Sequence, residues 1–303
     1  MPGVSLTPAG AGARRRRVMG EHNIRGARAI MCIKGKTRRA PKKKRKKYLQ
    51  QGATRGKCPR TCTPVCTPGI CGDDSCGGTC GCTDRTICVC GACEVCDIAC
   101  TSGDSVACGE ALYVAIASGG TILVCPGEYE GQFPLTEDVE IIGAGSGDNP
   151  ATSTILVGAD GLGSVVPVTI AVTARLASLR VTGGNGSLSN SGGVNINNAG
   201  ADVSIEDCAL VGNRGNYGGG VSVYRGAPAI TGSDFSHNTA AHGGGIATAT
   251  LSTIESTTIT NTALGGAGTG GGIYQFSAGA TINNAATVTN NNPDNCAGNS
   301  LIC

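Results

Sequence analysis

The residues with the most evident chemistry are cysteines. Twelve of the eighteen fall between Cys58 and Cys100. Among them Cys90, Cys93, Cys96 and Cys100 carry the C-x2-C-x2-C-x3-C spacing that can hold an iron–sulfur cluster. Two features favour disulfides instead. Thr101 stands where that pattern has proline, and upstream Cys58, Cys62 and Cys66 follow a different spacing, so no second run completes the first. Cys71, Cys76, Cys80, Cys82 and Cys88 continue the series, and Gly, Thr, Pro and Asp fill the gaps. That filler makes turns. A segment with no hydrophobic core of its own needs covalent staples, and the connectivity is not deducible from the sequence. Beyond this module Cys108 and Cys125 are candidates to pair with each other, as are Cys296 and Cys303. Cys208, in the apolar run Cys208 to Val211, is expected to be a buried free thiol, and Cys32 is left over.

Other reactive types are sparse. From residue 103 onward the only cations are Arg175, Arg180, Arg214 and Arg225, with no lysine to accept a proton. Paired carboxylates for glycoside hydrolysis are also hard to find. Glu206 and Asp207 are strand neighbours that should face opposite ways, and Glu128, Glu130, Glu137, Asp138 and Glu140 read as an exposed acidic cap. His237 and His242 share one turn with no third ligand beside them. Gly266 to Gly271 matches a dinucleotide fingerprint in composition only, because no helix follows. Gly183 to Leu188 lacks the aspartate of a calcium-binding nonapeptide. For stacking sugar rings the candidates are Tyr217, Tyr224, Tyr274 and Phe276. No catalytic residue, metal site or cofactor is expected.

The elements that must carry these residues follow from a repeat. Gly193, Gly220, Gly245 and Gly272 each precede Val or Ile, and the residues after them, Val194, Val221, Ile246 and Ile273, are spaced by 27, 25 and 27. A second landmark runs Leu210-x-x-Asn213, Phe235-x-x-Asn238, Thr258-x-x-Asn261 and Thr287-x-x-Asn290. Short alternating segments lie between the landmarks. A unit of this length with three short strands and no helical period is one turn of a solenoid. The glycines are read as sharp corners with positive φ, and Asn213, Asn238, Asn261 and Asn290 as structural turns or hydrogen-bonded ladders. The fold class is therefore all-β, a single-stranded parallel β-helix, to which the resemblance given next adds a right-handed sense. A helix from Gly109 to Ala117 should cap it, with Cys108 at its start.

The segment from Ala111 to Tyr129, ending Pro126-Gly127-Glu128-Tyr129, resembles the entry of pectin-lyase-like right-handed β-helices, where a short capping helix leads into the first strand. The Gly-Gly-Val/Ile and Phe-x-x-Asn landmarks are similar to the repeats of polymorphic outer-membrane proteins. These resemblances imply fold, handedness and a surface location, not a chemistry.

Charge divides the chain. Residues 1–60 hold 19 Lys and Arg against the single acid Glu21, a local charge of +18, whereas the rest carries 5 against 20, or −15. The expected organisation is a disordered basic tail (1–57), a disulfide module (58–102) and the β-helix (103–303). The tail suits contact with an anionic surface, but without interleaved aromatics it argues against specific nucleic-acid binding. Arg14 to Arg17 resembles the start of a twin-arginine export signal, yet the apolar stretch that should follow is missing. Export is read from the cysteines. No stretch is apolar and long enough to span a membrane. Together these features lead to an exported or cell-surface scaffold that binds a surface polymer or carbohydrate. A lyase or hydrolase of the same fold is the alternative, and an iron–sulfur protein a second one.

Overall fold

The computed structural model describes residues 85–89, 92–186, 191–226, 228–250, 252–264, 269–277 and 282–298, with a few short elements between 29 and 80. The chain divides into two compact units, Met1–Thr63 and Pro64–Cys303. In the first, the strands Ala29–Ile33, Lys36–Ala40 and Thr54–Arg55 form an antiparallel sheet, and Arg45–Gln50 is helical. These elements fall inside the basic tail expected to be unstructured. Ile30 and Ile33 supply the β-propensity that the charge runs conceal. Most of the cysteines from Cys58 to Cys90 lie outside the described residues.

The second unit begins, among its continuous stretches, with the hairpin Thr86–Val89 and Ala92–Val95. Two disulfides follow, Cys96–Cys125 and Cys100–Cys108, with Cα atoms 5.4 and 5.1 Å apart. The expected Cys108–Cys125 bond is thus replaced. Each of these cysteines is taken by one from the module, which ties that segment to the start of the solenoid. The capping helix, Ser105–Ile116, starts before the expected Gly109. Asp104 sets the start, because its carboxylate accepts from the amides of Val106 and Ala107. Leu112 and Ile116 on the helix are fully buried.

From Gly120 the chain winds into a parallel β-solenoid of three faces. The first stacks Gly120–Val124, Val139–Gly143, Thr173–Ala177, Asp202–Glu206 and Ala229–Thr231 in register. The second stacks Gly127–Gly131, Thr154–Gly158, Arg180–Thr182, Ala209–Val211 and Asp234–His242. The long strand Ser252–Ala263 then runs along both faces. The third face has six strands, Val166–Val168, Val194–Asn197, Val221–Arg225, Ile246–Thr248, Ile273–Gln275 and Cys296–Gly298. One row per face fills the interior. Ile122, Ile141, Leu176, Ile205, Ile230 and Ile254 are successive in-register partners, and all are buried. A single turn cannot enclose such a row. Only stacking at about 4.8 Å per strand buries it.

Two kinds of corner hold the faces apart. Ser178, Asp207 and Gly232 occupy equivalent left-handed positions between the first and second faces, with φ of 53°, 51° and 58°. The glycine pairs before the third face differ from expectation. Positive φ falls on Gly218, Gly243 and Gly270, just ahead of the pairs. Gly220 and Gly245 are required by close approach instead. A Cβ on Gly245 would lie 2.7 Å from Asn261 Nδ2 and 2.8 Å from the Gly272 carbonyl oxygen of the next turn. Gly193 and Gly272 are crowded in the same way by the Gly220 and Asn295 carbonyls.

Candidate functional site

Of the asparagines singled out by spacing, three join one buried ladder. Asn213 Nδ2 donates to Asn238 Oδ1 at 3.1 Å and Asn238 Nδ2 to Asn261 Oδ1 at 2.9 Å, while each Nδ2 also reaches a carbonyl of the turn before, Val181 and Leu210. The next rung is Asn291, whose Oδ1 accepts from the Asn261 amide. Asn290 sits one residue earlier at φ 57°, the left-handed place that His237 (57°) and Gly212 (69°) fill in other turns. It is the turn residue and Asn291 the rung. Every donor and acceptor here serves the stack, which leaves the ladder no chemistry to offer.

The four aromatic candidates converge, and the register explains why. Tyr217 pairs with His242, Ser222 pairs with Ala247, and Ala247 pairs with Tyr274. Five half-buried rings form a continuous layer. His242 stacks on Tyr217 at 5.0 Å with 15° between planes and meets Tyr274 at 4.8 Å. Phe276 joins Tyr224 at 4.9 Å and Tyr217 at 5.5 Å. Burial pushes the Tyr224 hydroxyl up to about 12, with the neighbouring Tyr217 adding to the shift. His242 was not separable in sequence from His237, which lies exposed at its corner. No group of three or more metal-ligating side chains occurs among the described residues.

A second grouping lies on the outward side of the first face. Glu140 and Arg175 are in-register partners, and Arg175 Nε donates to Glu206 Oε2 at 2.9 Å. Thr121 Oγ1 donates to Glu140. An open groove of about 500 Å³ runs past Thr121, Asp138, Glu140, Arg175, Asp202 and Ser204. The hydrogen bond to Glu206 raises the Arg175 pKa, and the same bond holds the Glu206 carboxyl below its ordinary value. Asp207 is not the opposite-facing strand neighbour expected; it turns the corner in a left-handed conformation. Of the acidic cap, Glu128, Glu137 and Asp138 are exposed, while Glu130 accepts from Ser105.

Three of the four sulfurs of the cluster-like motif are in disulfides. Cys96 and Cys100 are in the two disulfides above, and Cys93 is disulfide-bonded, as are Cys88 and Cys296. Cys90 and Cys303 lie outside the described residues. Cys208 is a free thiol with 2% exposure, and burial pushes it up to about 12. No protein-family model matches the chain, and neither a curated protein nor a solved structure matches it.

Proposed function

We propose that this chain is an exported or cell-surface scaffold, a right-handed β-helix that holds a binding face rigidly and performs no catalysis. The observation that carries the reading is the pair of disulfides joining the cysteine-rich segment to the capping helix and to the first turn. Such bonds persist in oxidising compartments and are reduced in the cytosol. The likeness of Ala111 to Tyr129 to pectin-lyase-like entries, and of the Gly-Gly and Asn landmarks to polymorphic outer-membrane repeats, supports the same location. The test is a mass map of protein alkylated without reduction. Peptides linked through Cys96–Cys125 and Cys100–Cys108 are expected, together with an unlinked Cys208. Reduced thiols at all four linked positions would overturn the proposal.

One observation favours a polysaccharide-active enzyme of the same fold as a second reading: Glu140, Arg175 and Glu206 share one sheet face beside a groove. The scaffold is preferred because Arg175 is already neutralised by Glu206, at 2.8 Å through Nη2. Release of reducing ends or unsaturated products from a polysaccharide panel, abolished by Arg175→Gln, would reverse that order.

A further inference from the structure

The aromatic layer is drawn from three successive turns. Tyr217 and Tyr224 belong to one, His242 to the next, and Tyr274 and Phe276 to the third. In the middle turn the outward positions are Ala247 and Ala249, small enough for rings above and below to lean together. Backbones two turns apart stand about 9.6 Å from each other, yet the Tyr224 and Phe276 ring centroids are 4.9 Å apart. The chain has no Trp, six Tyr and three Phe, so four of its nine aromatics are spent on one outward patch. Of the strands that carry it, Arg214–Tyr217, Val221–Arg225, Ile246–Thr248 and Ile273–Gln275 hold no acidic residue, and Asp234–His242 holds one, Asp234, at the end away from His242.

Two polar atoms in this layer have no hydrogen-bond partner, Ser222 Oγ and His242 Nδ1. Ser222 is fully buried, two residues before Tyr224 on the same side of its strand, and its partner Ala247 pairs in turn with Tyr274. Both atoms have almost no exposed surface, so only a hydroxyl that enters as a ring shifts aside can satisfy them, which an apolar protein partner lacks and a polyhydroxylated ring supplies. The axial C–H face of a pyranose is apolar and lies flat on the π-face of an aromatic ring, while its hydroxyls can donate and accept at the rim. A few polar groups converging on an otherwise apolar lining is the usual make-up of a small-ligand site.

We propose that Tyr217, Tyr224, His242, Tyr274 and Phe276 form a glycan-binding site that stacks sugar rings of a polysaccharide along the solenoid. This rests on the scaffold reading and names the chemistry of its binding face. The test uses the full-length, disulfide-intact protein in native gels containing β-glucan, galactomannan, xylan or polygalacturonate. Tyrosine fluorescence serves as a second signal, because three of the six tyrosines lie in the site and no Trp masks them. Retardation by at least one polymer is expected, with affinity falling at least tenfold in Tyr274→Ala and in Phe276→Leu, the latter keeping an apolar cover over Ala249. Ser222→Ala removes an unpaired hydroxyl, so it should weaken binding without lowering Tm. Three outcomes would overturn the site: no retardation by any polymer, wild-type affinity in all three variants, or a concentration-dependent dimer lost in the same variants. The cysteine map is independent of binding. Oxidised cysteines with no glycan retention would end this proposal and leave the scaffold standing.

Discussion

At the scale of single residues, the interior of the solenoid depends on asparagine amides as much as on isoleucines. Asn238 accepts from the Asn213 amide and from Asn213 Nδ2, and donates to the Leu210 carbonyl and Asn261 Oδ1. Asn238→Ala leaves those groups unpaired where water does not reach, so unfolding in urea should show a loss of about 2–5 kcal/mol. Asn290→Ala loses only a residue tolerant of the left-handed region, at about 1–2 kcal/mol, whereas Asn291→Ala should behave like the rungs. The ladder was legible because Asn213 and Asn238 each stand three residues after an inward side chain. The place of its last rung was not. In the turn through Ser252–Ala263 the left-handed residue is missing, so Asn261 comes only two residues after the inward Ile259, and alignment on Thr258 and Thr287 lands on Asn290.

At the scale of elements, regularity in sequence and regularity in space part company in the first turns. The in-register pairs Gly120 with Val139 and Val139 with Ala174 are 19 and 35 residues apart, against 25 for Ser204 with Ala229 and 24 for Ala229 with Thr253. Insertions at corners cost the stack little, so the early turns stack correctly without showing a period. The aromatic layer was equally hidden. Its four candidates could be picked out by type, but their convergence needs the register of three turns, and nothing in sequence separates His242 from His237. The disulfide partners follow from where the helix cap places Cys108, also a matter of position in space. The glycine corners make a sharper prediction. Gly120 has φ 82° with open space around its missing Cβ, while Gly245 lacks positive φ and is crowded. Gly120→Asn should leave Tm nearly unchanged, because asparagine accepts that conformation. Gly245→Asn should be worse than Gly245→Ala, itself costing about 1–3 kcal/mol by overpacking, as read by urea unfolding.

At the scale of the whole solenoid, each turn touches only its neighbours, so a defect in one turn weakens the stack through shared interfaces. Two buried acids make this measurable with pH alone. Tyr129, in the first turn, gives its hydroxyl proton to the Cys125 carbonyl at 3.0 Å, and burial pushes it up to about 12 from 10. Cys208, four turns in, is pushed up to about 12 from 9. Both are raised, so both favour the folded state fully below their unfolded values, and that stability is lost as pH climbs from about 9 toward 12, where the unfolded chain ionises first. Glu206 acts in the opposite sense. Its lowered value contributes stability above the ordinary carboxylate range and loses it as pH falls through the folded value. Urea midpoints should therefore form a plateau between a mild acid shoulder and a steeper alkaline fall. Cys208→Ala should remove the fall that begins near pH 9 and lessen it above pH 10, where the shares of Tyr129 and Tyr224 persist. An alkaline slope unchanged by Cys208→Ala would mean that the thiol is not held in the dry interior, and that this corner of the fourth turn opens to water.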